Sequence, residues 1–247
     1  MGMNVQLQGL KKNYGKKEAV RGIDLEINAG ELFVLVGPNG AGKTTTLKMT
    51  VGLLKPTSGS VRICGHDMTK ESMEAKRNLS FVPDTPHIYD KLTARELLRF
   101  TGKLFRMAHK DIEARGEELL KFFTLWDVRD VLLEEFSHGM RQKAILSASL
   151  LHDPKVFILD EPMVGLDPIS IKSFKDLLRE KARKGMTIIF STHTLATAEE
   201  LAHRIAIINQ GKIVALGTMD ELRRTYHSQE NLEEMFMKLV NTSYIQK

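Results

Sequence analysis

The chain has 247 residues, 42% hydrophobic and 27% charged, with a formal net charge of +5. That is the balance of an ordinary protein with a large core, and the mild positive charge suits phosphate ligands or anionic lipid without implying nucleic acid. No apolar run approaches the ~20 residues needed to span a bilayer. Met1-Gly2-Met3-Asn4-Val5-Gln6-Leu7 lacks the charged and apolar regions of a signal peptide, and the single cysteine, Cys64, excludes an intrachain disulfide, so a reducing cytosol is expected.

In chain order, Val5-Gln6-Leu7 and Ile23-Asp24-Leu25-Glu26-Ile27 alternate apolar and polar residues, which predicts half-exposed strands of an antiparallel layer. Tyr14 precedes Gly15 in the loop between them. Taken singly it serves packing as readily as ring stacking. Lys11, Lys12, Lys16 and Lys17 around it form a solvated face that can steer an anion.

Glu31-Leu32-Phe33-Val34-Leu35-Val36 then reads as a short apolar strand leading into Gly37-Pro38-Asn39-Gly40-Ala41-Gly42-Lys43-Thr44, a complete GxxxxGK[ST] match, with a helix over 44–51 behind it. A glycine-rich turn placed there aims backbone N–H groups and the positive end of the helix dipole at a phosphate. Gly37, Gly40 and Gly42 are expected to let the backbone close on that phosphate where a Cβ would intrude. Lys43 is placed to reach β- and γ-phosphates, and the Thr44 hydroxyl to ligate Mg²⁺. Val61 and Ile63 predict a further strand, with Cys64 as a buried, inert thiol in it.

Between about 86 and 153 the pattern turns helical. Leu97, Leu98, Phe100, Thr101, Leu104 and Phe105 mark a helix over 94–105, and Leu119, Leu120, Phe122 and Phe123 one over 112–123. This is a helical lobe inserted into a sheet domain. At its end Ser137 is a good N-cap for a helix running to Leu151, and the N–H groups behind Ser137 make a second anion site, which a phosphate-loop enzyme acting alone does not need.

Val156-Phe157-Ile158-Leu159 and Thr187-Ile188-Ile189-Phe190 are continuous apolar runs of the kind found in central parallel strands, and Ile205-Ala206-Ile207-Ile208 is a third. The first delivers Asp160-Glu161-Pro162 to the edge of the sheet where α/β ligands bind. Asp160 is expected to hold Mg²⁺ and Glu161 to deprotonate the water that attacks a γ-phosphorus. The second delivers His193 to the same edge, as a contact for the γ-phosphate. Residues 211–216 read as a hairpin return. The segment from Glu230 to Leu239 reads as an amphipathic helix with Leu232, Met235, Phe236 and Leu239 on one face, docked on its own domain.

These motifs, in this order, resemble the ATP-binding-cassette (ABC) ATPases over nearly the whole chain. The resemblance implies an α/β fold: a P-loop NTPase (RecA-like) core, an antiparallel β subdomain and an inserted α-helical subdomain. The chain would be one domain, with 1–86 and 154–229 as nucleotide-binding core, 87–153 as the helical signature subdomain and 230–247 as a helical tail. It implies ATP and Mg²⁺ as cofactors, with Tyr14 on adenine and Gly37, Pro38, Asn39, Gly40, Ala41, Gly42, Lys43, Thr44 and Thr45 as Walker A. Ser137 to Met140 would be the signature and Asp160 with Glu161 Walker B. Asp167 would lie in the D-loop at the nucleotide, and His193 would be the switch. Glu161, His193 and Lys43 would be catalytic; Thr44, Asp84 and Asp160 would hold the metal.

Two motifs depart from the family pattern. His138 and Met140 replace Gly and Gln in the signature, with Ser137 and Gly139 kept, and Asp84 stands where the family has a loop glutamine. The implied partners are a second cassette, as homodimer or heterodimer, and a transmembrane permease subunit on the inner face of the cell membrane. The runs Pro83-Asp84-Thr85-Pro86 and Leu232-Glu233-Glu234-Met235-Phe236 are similar to a bacterial exporter-type, Ecs-like subset. The alternative is a soluble cassette acting on nucleic acid or ribosomes; no sustained heptads and no second set of motifs favour it, and no direct nucleic-acid contact is expected.

Overall fold

The computed structural model describes residues 2–85, 88–226 and 231–245, with side chains described as far as 240. Among these residues, the strands form two sheets. In the first, β1 (Met3–Tyr14), β2 (Lys17–Asn28), β4 (Ser58–Ile63) and β5 (His66–Asp67) are antiparallel, in the order β2-β1-β4-β5. The second runs β10-β9-β3-β8-β7-β6. Here β3 (Leu32–Val36), β6 (Leu79–Val82), β7 (Val156–Asp160), β8 (Thr187–Thr192) and β9 (Arg204–Asn209) are parallel, and β10 (Lys212–Gly217) returns antiparallel to β9.

The central sheet is buried on both faces, which is why its strands read as unbroken apolar runs. Because successive side chains point to opposite faces, each strand feeds two cores. Val34, Val36, Leu159, Phe190 and Ile207 join the core shared with the helices. Phe33, Leu35, Ile158, Ile189 and Ile208 join the core shared with the antiparallel sheet and α1 (Lys43–Thr50).

The lobe follows β6. It consists of α3 (Ala94–Leu104), α4 (His109–Phe122) and α5 (His138–Leu150), and the chain re-enters the sheet at β7. Thr93 and Glu96 close a reciprocal cap on α3, which fixes its start. Phe100, Leu104 and Phe122, whose spacing marks these helices in the sequence, lie on them but remain exposed.

Three helices lie on the core side after β7: α6 (Pro168–Arg183), α7 (Leu195–Leu201) and α8 (Met219–Thr225). A short helix, α2 (Ser72–Arg77), precedes β6. The tail helix α9 (Leu232–Ile245) docks on its own domain: Leu232 and Met235 are buried, Phe236 and Leu239 pack beside them, and Glu199 of α7 accepts from the Leu232 N–H and from Arg223. Pro86 and Glu230, at which the core and tail boundaries were drawn, lie outside the described residues.

Cys64 departs from expectation. It sits in the turn after β4 with φ +50° and is only half-buried; that burial still raises its thiol pKa against the pull of Lys155. At Gly211, between β9 and β10, the two sheets are joined. Its N–H donates to the Ala41 carbonyl and its own carbonyl accepts from Arg21 N–H, both at 2.8 Å. A Cβ there would stand 2.8 Å from the Ala19 carbonyl, so only glycine fits the turn.

Candidate nucleotide site

At the C-terminal edge of the parallel sheet a cavity of about 480 Å³ is lined by Tyr14, Lys17, Ala19, residues 38–45, Asp84, Asp160 and Glu161. Three elements build it. Strand β3 ends at Val36 and the loop 37–42 turns into α1, whose first N–H groups, from Lys43 onward, have no intrahelical acceptor. Strand β7 presents Asp160 and Glu161, and the β1–β2 hairpin closes the far side, with Tyr14 paired to Lys17 at its tip.

The glycines act differently from expectation. A Cβ at Gly37 would stand 2.4 Å from the Ile208 carbonyl, and one at Gly42 (φ +110°) 2.7 Å from the Ala19 carbonyl. Both are required by the protein's own backbone. Gly37 does not line the cavity, and around Gly40 (φ +77°) there is open space.

Lys43 is only 7% exposed, and its Nζ donates to the carbonyls of Gly37 at 2.6 Å and Pro38 at 3.3 Å. Burial lowers its pKa, and the carboxylates of Glu161 and Asp160 oppose that shift. Asp160, 1% exposed, accepts a short hydrogen bond from the Ser191 hydroxyl on Oδ1, whereas its buried Oδ2 has no protein partner. A buried carboxylate oxygen left in this way calls for a cation or a bridging water. With the Thr44 hydroxyl and the Asp84 carboxylate, which line the same cavity, it makes a set of hard oxygen donors of the kind that suits Mg²⁺. Among the described residues no cluster of three His, Cys, Asp or Glu could hold a metal by itself.

Glu161 has φ +50°, a costly backbone for a residue with a Cβ. Its N–H donates to both the carbonyl and the hydroxyl of Ser191, each at 3.2 Å, which holds the strained turn in place. The carboxylate meets His193 Nδ1 at 3.0 Å. His193 does not line the cavity; its side chain is 63% exposed and reaches the site through Glu161.

Ser137, Gly139 and Asp167 also lie outside this cavity. Ser137 is exposed and caps α5 by accepting from Met140 N–H at 3.3 Å. Asp167 caps α6; the Ser170 hydroxyl, the Ser170 N–H and Lys143 hold its carboxyl well below the usual carboxylate range. Lys17 is a lining residue that sequence reading left in a solvated face. Its register opposite Tyr14 is visible only once the hairpin is formed.

A phosphate loop between a parallel strand and its helix, facing two carboxylates on a nearby strand, defines a P-loop nucleotide-hydrolysing protein. A family model described as ABC transporter matches residues 20–164, and the chain belongs to that family. It is similar to the linearmycin resistance ATP-binding protein LnrL of Bacillus subtilis (strain 168), at 38% identity over 88% of this chain and 70% of that protein. It is also similar to the daunorubicin/doxorubicin resistance ATP-binding protein DrrA of Streptomyces peucetius, at 38% over 91% and 68%. A solved ATP-binding subunit of an ABC transporter superposes with a TM-score of 0.92 at 32% identity, covering 96% of this chain and 99% of that one. A dimeric cassette in a post-hydrolysis state with ADP and phosphate gives a TM-score of 0.79 at 25% identity, over 87% and 98%.

The chain is thus an ATP-binding, ATP-hydrolysing subunit of an ABC transporter, of a kind that pairs with permeases and dimerises. Among the described residues no helix is long and apolar enough to cross a membrane.

Proposed function

We propose that two cassettes pair head to tail, so that each ATP lies between the phosphate loop of one and the Ser137-headed helix of the other, and that their closure drives a separate permease of export type. One observation carries this reading. The chain holds a complete phosphate-loop cavity and, on another face, an exposed serine-capped helix start that the cavity does not use. The resistance proteins to which the chain is similar support the export assignment.

Within the site, Tyr14 stacks on adenine and the N–H groups of 40–45 surround the phosphates. Lys43 leaves the Gly37 and Pro38 carbonyls for phosphate oxygens that satisfy the same donors. Thr44, Asp84 and Asp160 would hold Mg²⁺, which would supply positive charge against the phosphates of the nucleotide. Glu161 takes the proton of the attacking water, and His193, already on its carboxylate, keeps that carboxylate aimed. Ser137, Gly139 and Asp167 of the second copy close the site from the other side.

A cleft of about 210 Å³ between lobe and sheet, bordered by Ile88, the exposed Tyr89 and Phe100, and His152, is the permease-facing surface, on the cytoplasmic side of the membrane. The test is Glu161→Gln: ATP binding is retained, turnover falls about 10²–10⁴-fold, and ATP traps a dimer. Undiminished turnover would remove Glu161 from the mechanism, and a monomer at saturating ATP would remove the shared site.

A further inference from the structure

The helical lobe between 87 and 153 contains eleven Lys and Arg residues. Eight of them lie within 3.6 Å of a carboxylate oxygen, as Arg95 does with Asp130 and Arg99 with Glu113. The other three, Lys103, Arg106 and Lys110, are exposed and have no carboxylate partner among the described residues. All three fall where α3 ends and α4 begins, and the stretch 103–111 carries a single carboxylate, Asp111. Cations that are paired elsewhere on the lobe are thus left unpaired in one turn.

Leu104 stands among them, 66% exposed. It follows Phe100 by one helical turn, so it continues the stripe by which Leu97, Phe100 and Thr101 face the cleft between lobe and sheet. Leu104 itself does not line that cleft, and an occupant of the cleft alone leaves it uncovered. The turn is firmly built. Phe105 stacks on His152 with centroids 3.5 Å apart, and Met107 N–H donates to the Gly102 carbonyl at 2.9 Å. Ile112 of α4 packs so closely that a Cβ on Gly102 would stand 2.5 Å from its Cγ1.

We propose that this turn rests on the anionic lipid headgroups of the cytoplasmic leaflet beside the permease, with Leu104 dipping toward the acyl chains and Lys103, Arg106 and Lys110 on lipid phosphates. The inference rests on the reading of the cleft as permease-facing, which sets the neighbouring turn against the membrane. One leucine offers too little apolar area for a stable protein interface, which takes about 800 Å² per partner. It suits the boundary between headgroups and acyl chains, where Lys and Arg stems lie along apolar surface and their charges reach phosphate. Each such cation contributes about fivefold to binding at an anionic surface, and salt screens the gain.

The experiment floats the full-length subunit with vesicles of phosphatidylcholine alone and with vesicles containing about 30% phosphatidylglycerol. Wild type binds the anionic vesicles and is released as salt is raised. Lys103→Glu combined with Arg106→Glu lowers that binding at least about tenfold, and Leu104→Ala lowers it about threefold. The control, Lys76→Glu combined with Arg77→Glu, makes the same change in net charge on α2, beside the exposed Met73, and stays within about twofold of wild type. No binding by wild type, equal binding by wild type and the lobe variant, or an equal loss in the α2 control overturns the lipid contact. So does loss of co-purification with the permease in the lobe variant, which would assign the turn to that subunit. Phe100→Glu that still co-purifies with the permease would instead overturn the cleft reading, so the two failures are told apart.

Discussion

His152 is held neutral by its surroundings, and the consequence for stability can be worked out. Its ring stacks on Phe105 with centroids 3.5 Å apart, its Nε2 donates to the Leu79 carbonyl at 3.3 Å, and its buried Nδ1 has no partner. Burial lowers its pKa from 6.5 to about 4, against the opposing pull of the Leu79 carbonyl and Asp153. In the unfolded chain the imidazole takes up its proton near 6.5, so between 6.5 and about 4 the unfolded state binds more protons than the folded one. Stability contributed by the neutral ring is therefore complete above 6.5 and is lost as pH falls through that window. At about 1.4 kcal/mol per pH unit, the full interval sets a ceiling of about 3 kcal/mol, and the part above about pH 5 is worth about 2 kcal/mol.

His152→Phe keeps the stack and cannot titrate. Losing the bond to Leu79 costs it about 1 kcal/mol at every pH, which cancels when slopes are compared. Urea unfolding of both proteins at about pH 7.5 and about pH 5 isolates this one group, because every other titrating group is common to the two. Wild type should lose about 2 kcal/mol more than His152→Phe between the two conditions. Parallel losses in both proteins would refute the assignment of a buried, neutral imidazole.

Lys43→Ala should weaken ATP binding by at least about tenfold, the value of a charge-assisted contact, and a wild-type binding isotherm would contradict the role given to the loop lysine. Tyr14→Ala should raise the Kd for ATP about three- to tenfold while Tyr14→Trp restores it; equal affinities in all three would show that the ring only packs. Gly37→Ala should cost about 1–3 kcal/mol in thermal or chemical unfolding, because its Cβ would meet the Ile208 carbonyl at 2.4 Å, and an unchanged melting temperature would refute the close approach of β3 to β9.

The central strands are legible in sequence because burial on both faces removes any need for polar residues, so Leu32 to Val36 and Thr187 to Phe190 carry their environment in their composition. β1 and β2 are harder. Each spans twelve residues, yet period-two alternation is readable over only three to five of them, because the register slips between Leu7 and Leu10, where Gly9 has φ +54°. The slip changes the phase of every side chain beyond it. Helix α6 had a readable signal that went unused: Asp167 as cap, Pro168 at the first position, then Phe174, Leu178 and Ala182 four apart.

At the site, motif spacing identified the loop, the carboxylates and the serine-capped helix. It could not show that Gly37 and Gly42 serve neighbouring backbone, that His193 reaches the cavity only through Glu161, or that Lys17 lines it. Each of these depends on segments brought together from distant parts of the chain.

Gly211 gives the nucleotide cavity a fixed gauge. One residue holds both Ala41 on the floor and Arg21 on the hairpin, so the gap into which a purine and its phosphates must slide is set by a glycine that never meets them. A bulkier residue at that corner would tilt hairpin and floor apart together, and the error would surface as a misfitted ligand some distance from the altered position.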